Sequence, residues 1–144
     1  MLVKQVSVFL ENKSGRLAEV TRIMGEAGID ISALSIADTS EFGILRLILN
    51  NPDLAVTVLK NNGFSVGTTE VIAISVEDIP GGLSQVLSIL ELNNIGIEYM
   101  YAFTGSTKTG KAIVILRVED SDRAVEILVD SGIDVMPSKE IYRL

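Results

Sequence analysis

The sequence predicts an α+β protein made of two tandem units. Each unit is a βαββαβ chain forming an antiparallel sheet with two helices on one face. Two observations carry this reading. First, one motif is written twice: Ser14-Gly15-Arg16-Leu17-Ala18-Glu19-Val20 reads onto Pro80-Gly81-Gly82-Leu83-Ser84-Gln85-Val86 at an offset of 66 (81 − 15 = 66). Second, the apolar period switches between 2 and 3.6 in the same order in both copies, which marks strands and helices in turn.

The repeat extends well beyond the motif. Ile29, Ile31 and Leu34 meet Ile95, Ile97 and Met100. Ala55, Val56, Leu59 and Gly63 meet Ala124, Val125, Leu128 and Gly132 at an offset of 69 (132 − 63 = 69). The second copy therefore gains three residues (69 − 66 = 3), within the glycine- and threonine-rich stretch between Phe103 and Lys111. Two domains follow, 1–69 and 70–144. Each has about 70 residues, a size that buries too little surface to be comfortable alone, so the two are expected to pack side by side.

Each element has its own local warrant. Val6, Val8 and Leu10 alternate with Gln5 and Ser7, predicting a half-buried first strand. Leu17, Val20, Met24 and Ala27 recur at helical spacing with Arg16, Glu19, Arg22 and Glu26 opposite, and Gly28 ends that helix. Segments 29–37 and 43–49 read as strands. Asn51-Pro52-Asp53 opens a helix, with Asn as cap and Pro where a missing N–H does no harm. Leu54, Ala55, Val58 and Leu59 form its apolar stripe, Gly63 stops it, and 65–69 is a fourth strand. The second copy gives strands at 70–76, 95–103, 111–118 and 135–142, with helices at 83–93 and 121–131. Pro137 in the last strand lacks a ladder donor, which predicts a sheet edge. The pattern is the tandem ferredoxin-like arrangement.

Both faces of the third strands are apolar: Leu45 and Leu47 alternate with Ile44 and Ile48, and Val114 and Leu116 with Ile113 and Ile115. Helices cover one face, so the other is expected to be covered too. A hydrophobic content of 47% fits sheets buried on both sides. Tyr99, Tyr101 and Phe103 form an aromatic stripe where the first copy has Ala33, Ser35 and Ala37. Packing on another sheet or subunit is the favoured reading, and a tyrosine lining a ligand pocket is the alternative.

Composition excludes several function classes. A formal charge of −7 leaves no basic footprint for nucleic acid or for an anionic membrane. No apolar run approaches a membrane span and no secretory leader is legible, so a cytoplasmic location is expected. The chain has no cysteine and no histidine, which removes thiolate chemistry and the commonest general base and metal ligand. No catalytic residue, metal or cofactor is expected, and the chain is not read as an enzyme. Gly105 to Lys111 nearly matches a phosphate loop, but it leads into a strand and Ala112 replaces the magnesium-binding hydroxyl. The scattered carboxylates Asp30, Asp38, Glu41, Asp78 and Glu98 show no calcium-loop spacing.

The glycine turns are more informative. Asn12-Lys13-Ser14-Gly15-Arg16-Leu17 and Asp78-Ile79-Pro80-Gly81-Gly82-Leu83 each leave a strand and open a helix. A helix start presents free N–H groups and partial positive charge, suited to a carboxylate. Any strand-to-helix turn favours glycine, but its recurrence at equivalent places points further.

These residues resemble the ACT domain, the small amino-acid-sensing module. The run from Val6 to Val20 with Gly28-Ile29-Asp30-Ile31 is especially similar to the ACT part of acetolactate synthase regulatory subunits, and Ser75 to Leu83 resembles the start of a second ACT domain. The resemblance covers nearly the whole chain. It implies regulation by a small effector, usually a free amino acid, bound between paired domains, the turn of one meeting the second strand of the other. Carried onto this sequence, the turn residues are Asn12, Ser14, Gly15, Arg16 and Leu17, then Asp78, Gly81, Gly82 and Leu83. The facing strand ends are Asp30, Ser32, Glu98 and Tyr99. Turn N–H groups are expected to receive the carboxylate, and Asn12, Asp30 or Glu98 the ammonium. Asp78 stands where the first copy has Asn12, and Gly96 where it has Asp30, so the two sites need not be equivalent. The expected protein is a sensor or regulatory subunit, a homodimer through its open sheet faces, acting on a separate enzyme of amino-acid metabolism. The competing class is a ligand-free oligomerisation module with degenerate sites.

Overall fold

The computed structural model describes residues 1–11, 13–38, 42–104 and 110–143. The elements are β1 (Val3–Glu11), α1 (Arg16–Glu26), β2 (Ile31–Asp38), β3 (Phe42–Leu49), α2 (Pro52–Asn61), β4 (Ser65–Glu77), α3 (Gly82–Leu92), β5 (Ile97–Ala102), β6 (Lys111–Val118), α4 (Ser121–Asp130), β7 (Asp134–Val135) and α5 (Ser138–Tyr142). The βαββαβ order is present in both copies. Two compact units result. One comprises Lys4–Thr69 with the chain end from Tyr142, the other Met1–Val3 with Glu70–Ile141.

In the first unit β3 lies between β1 and β2, antiparallel to both, with Val6 facing Leu47 and Leu34 facing Leu47 from the other side. In the second, β6 lies between β4 and β5, with Ile72 and Met100 both facing Leu116. Each sheet buries one face under its helices. The first core holds Val6, Val8 and Leu10 against Val20, Met24 and Leu59. The second holds Ile72, Ile74 and Val76 against Val86, Leu90 and Leu128. These sets match residue for residue at offsets 66 and 69 (72 − 6 = 66; 128 − 59 = 69), so the repeat in the sequence is a repeat of the core.

Three expectations are corrected. Segments 65–69 and 70–76 are one strand, β4, since nothing between Thr69 and Glu70 turns the chain. Segment 135–142 is not a strand. β7 pairs with β4 only at Asp134 and Val135, and the Met136 N–H reaches the Ala73 carbonyl at 2.8 Å. Pro137 then has no N–H to continue the ladder. Its carbonyl instead accepts from Glu140 and Ile141 at 3.1 and 3.3 Å, opening α5. Finally, β1 is buried on both sides from Gln5 to Val8. Gln5 and Ser7 are buried, and the Gln5 Nε2 donates to Ser7 Oγ at 3.4 Å. Ala33 and Ile48 in the first unit, and Ala73, Ile113, Ile115 and Tyr101 in the second, are buried as well.

Candidate functional site

The two glycine turns are built alike. Gly15 and Gly81 occupy the N-cap positions of α1 and α3 in the left-handed region, at φ 88° and 84°. An L side chain is strained there, and this explains glycine at both places. A glycine cap has no side chain to accept a helix N–H, and neither helix has a side-chain cap. The other two helices differ. Asn51 accepts from the Leu54 N–H and Asp120 from the Arg123 N–H, both at 3.2 Å. The chain thus caps α2 and α4 and leaves the first turns of α1 and α3 to other acceptors.

The sequence-predicted turn residues fall into place around these caps. Ser14 is exposed, Leu17 and Asp78 are exposed, and Leu83 is half-buried against the second core. Gly82 lies against the Glu77 carbonyl, where a Cβ would collide. Asn12 lies outside the described residues, as do 105–109 of the phosphate-loop-like stretch. Arg16 is held by three neighbours: Glu19 at 3.3 Å, Glu11 at 4.0 Å, and the Phe64 ring, whose centroid is 5.7 Å from its guanidinium carbon. Lys13 pairs with Glu11 at 2.9 Å. The Lys13 hydrogen bond, then the charges of Lys13 and Arg16, hold the Glu11 carboxyl below its ordinary value. Beside Arg16 a groove of about 400 Å³ opens between the end of β1 (Phe9, Leu10, Glu11), the start of β3 (Phe42) and the Gly63-Phe64-Ser65 corner. Sequence reasoning missed this groove, because its residues come from four separated segments.

The predicted strand-end residues cluster elsewhere. Antiparallel pairing puts Asp30 and Ser32 at the end of the first sheet opposite its glycine turn, since Ile31 faces Leu49 whereas Glu11 faces Phe42. Glu98 and Tyr99 are placed likewise in the second unit. No unit brings its own turn and its own strand end together. Both strand ends are irregular at the same repeat position: the register shifts between Ile31 and Ala33 and between Ile97 and Tyr99, across Ser32 and Glu98 (98 − 32 = 66). Bulges of this kind re-aim side chains and recur beside functional sites.

The acidic group at this end is carried differently in the two units. The Asp30 N–H donates to Asn50 Oδ1 at 2.9 Å. At the matching place a Cβ on Gly96 would lie 2.5 Å from a Glu119 carboxylate oxygen, and the Glu119 N–H donates to the Gly96 carbonyl at 3.2 Å. Glu119 matches Asn50 (119 − 50 = 69). A carboxylate therefore stands beside Gly96 as well, on Glu119, a signal legible in the repeat when Asp30 and Asn50 are compared together with Gly96 and Glu119. Glu98 pairs with Arg117 at 3.3 Å. Among the described residues no cluster of three acidic side chains is placed to hold a metal, and no helix is long and apolar enough to cross a membrane.

A family model described as an ACT domain pair matches residues 1–144. The chain belongs to the ACT domain pair family. ACT domain pairs are regulatory modules, and the chain is accordingly regulatory and not catalytic. Protein BT0572 from Bacteroides thetaiotaomicron is similar over 100% of this chain and 98% of its own, at 42% identity and a TM-score of 0.93. The ligand-free regulatory subunit of aspartate kinase from Thermus thermophilus covers 90% of this chain and 93% of its own, at 14% identity and a TM-score of 0.62. The corresponding subunit from Thermus flavus covers 90% and 92%, at 14% identity and a TM-score of 0.57. At that identity the likeness to the aspartate kinase subunits is one of fold. No curated protein matches this chain significantly.

Proposed function

We propose that the protein senses a free amino acid at its glycine turns and transmits binding to a separate enzyme. The observation that carries this is the repeated contrast in capping: side chains cap α2 and α4, and glycine alone stands at α1 and α3. The Arg16 and Gly82 N–H groups donate to the Lys13 and Ile79 carbonyls at 3.3 and 3.0 Å, and a ligand carboxylate would serve the first-turn N–H groups that follow, gaining from the positive end of the helix dipole. The ammonium falls to the bulged strand ends, through Asp30 in one copy and Glu119 or Glu98 in the other. The family resemblance assigns these residues to a domain paired with the one that supplies the turn. Ser32 and Tyr99 complete that wall. Ligand then favours whichever arrangement it binds more tightly, and by no more than the difference in affinity. The reading extends to a cytoplasmic homodimer formed through the sheet faces.

The test is thermal shift and calorimetry against the twenty amino acids on the native chain and on Gly15→Asn and Gly81→Asn. Asn94 already holds φ 56° in this chain, so asparagine is compatible with such a backbone. A Cβ at either glycine meets nothing within 4 Å, so the cost of the variants is the strain of the left-handed backbone, which melting curves of the ligand-free variants measure. A saturating effector should raise the melting temperature by about 5–10 °C at a hundredfold excess over its Kd. The asparagine variants should lose at least about tenfold in affinity, the share of one charge-assisted contact. Absence of binding by any amino acid, with assembly unchanged, would leave the ligand-free module in its place.

A further inference from the structure

The chain holds seven asparagines, and one of them, Asn62, is followed by glycine. An asparagine before glycine is open to attack on its own side chain, because glycine puts no Cβ in the way and lets the backbone turn. The repeat places Ser131 at the matching position, before Gly132 (131 − 62 = 69). Serine has no amide to lose, so this chemistry belongs to the end of α2 and not to the end of α4.

The folded end of α2 holds the reacting atoms apart. Asn62 is the C-cap, at ψ 14°. A ψ near zero turns the Gly63 nitrogen toward the nitrogen of Asn62 itself, away from its Cβ and side-chain amide. The Gly63 N–H also donates to the Lys60 carbonyl at 3.0 Å. Asn62 Nδ2 donates to the Val58 carbonyl at 2.7 Å, which fixes the amide against the helix. The corner is pinned beyond Gly63 as well. The Phe64 N–H donates to the Leu59 carbonyl at 3.0 Å, and Phe64 is buried in the first core. These bonds belong to one helical turn and open together. Asn62 is exposed, so water reaches it there.

We propose that Asn62 is a modification site, converted to aspartate and isoaspartate only while the last turn of α2 is open. The step needs no enzyme and no oxidant. The Gly63 nitrogen attacks Cγ of Asn62 and forms an N–Cγ bond. The Cγ–Nδ2 bond breaks, and ammonia leaves with the proton that Gly63 gives up. Water then opens the cyclic imide. Cleavage at Cγ leaves aspartate. Cleavage at the backbone carbonyl leaves isoaspartate, whose main chain runs through the former side chain. The product loosens the turn that guarded the amide. The Val58 carbonyl now accepts from both the N–H and the Nδ2 of Asn62, and a carboxylate removes the second donor. It also sets negative charge at the negative end of the α2 dipole. Isoaspartate adds a backbone carbon between α2 and the buried Phe64.

The test incubates the full chain at mildly alkaline pH, folded and in urea, and follows position 62 by peptide mass spectrometry. An isoaspartate methyltransferase assay counts the isoaspartate. Conversion should be at least about tenfold slower in the folded chain than in urea, because it waits for a local opening. Asn62→Ser, which installs the second unit's residue, should abolish it. Lys60→Glu removes the basic residue of the last turn of α2 and opposes the helix dipole. It should speed conversion in the folded chain about threefold, leave the rate in urea unchanged, and quicken exchange of the Gly63 and Phe64 amides by the same factor. Asn62→Asp should quicken exchange at those two amides. Equal rates in the folded and unfolded chains would remove the gate and with it the proposal. Absence of conversion in urea overturns the site itself. Faster amide exchange in Lys60→Glu with no faster conversion overturns the link between the turn and the chemistry. Unchanged exchange in Asn62→Asp overturns the loosening by the product.

Discussion

At the residue scale the two copies solve one steric problem in two ways. After α1 the chain passes through Gly28 at φ 74°, and after α3 through Asn94 at φ 56° (94 − 28 = 66). Both then donate from the next residue back into the helix, Ile29 to Met24 and Ile95 to Leu90, at 2.9 and 3.0 Å. Asparagine tolerates the left-handed region where alanine does not. Asn94→Ala should therefore lower stability by about 1 kcal/mol, read as a fall in urea midpoint at constant slope. Glu11 gives a second expectation. Its carboxyl is held below the ordinary value near 4.5 by Lys13 first and Arg16 after. A folded-state value below the unfolded one stabilises the fold above the unfolded value, and that contribution is lost as pH falls through the folded value. The window thus lies on the acid side of about pH 4.5. Above it Glu11 stays charged, and the chain has no histidine to titrate. The contribution of Glu11 to the urea midpoint should therefore be constant from about pH 5 to 8 and fall away only on the acid side of that range, and a Lys13→Ala variant should lose part of that acid-side fall. The glycine turns were legible in the sequence because each is one contiguous motif. Phe9, Phe42 and Phe64 were not, since only the strand pairing and the corner after α2 bring them together.

At the element scale, legibility follows the range of the forces. Helix limits set by local chemistry were readable: Asn51 caps α2, and Gly63 and Gly132 follow α2 and α4 at φ 84° and 80°. Strand limits set by partners were less so. The join within β4 carries no breaker, so two expected strands are one. The failure of the last strand was also local, because Pro137 can open α5 as readily as it can occupy a sheet edge. Burial of Gln5 and Ser7 was hidden by their polarity, since alternation reports side-chain type and not what covers it. The caps offer a direct check. Asn51→Ala and Asp120→Ala should each cost about 1 kcal/mol and speed amide exchange in the first turns of α2 and α4. The same substitutions should leave amino-acid affinity unchanged, because those helix starts are filled by their own side chains. Loss of binding in either would move the ligand from α1 and α3 to the other helix starts.

At the scale of the whole molecule, the repeat in the sequence and the compact units differ at the chain ends. Met1–Val3 belong with the second copy, and the chain end from Tyr142 belongs with the first. The contacts are specific. Val3 is wholly buried and Leu2 packs against the second core. The Lys4 N–H donates to Tyr142 Oη at 2.9 Å within the first unit. A substitution near the N-terminus should therefore weaken the unit built mostly from the C-terminal half, and the converse should hold at the other end. Val3→Ala removes about two methylene equivalents from a filled site, a loss of about 2 kcal/mol. Tyr142→Phe removes one hydrogen bond, a loss of about 1 kcal/mol. Hydrogen exchange resolves where each loss falls. Val3→Ala should raise exchange most in the β4 and β6 amides that pair Ile72 to Val76 with Ala112 to Leu116. Tyr142→Phe should raise it most in β1 and β3, where Val6 to Leu10 pair with Gly43 to Leu47. If Val3→Ala instead loosened β1 and β3 first, the N-terminal residues would belong to the unit of their own repeat, and the division of the chain into these two units would be wrong.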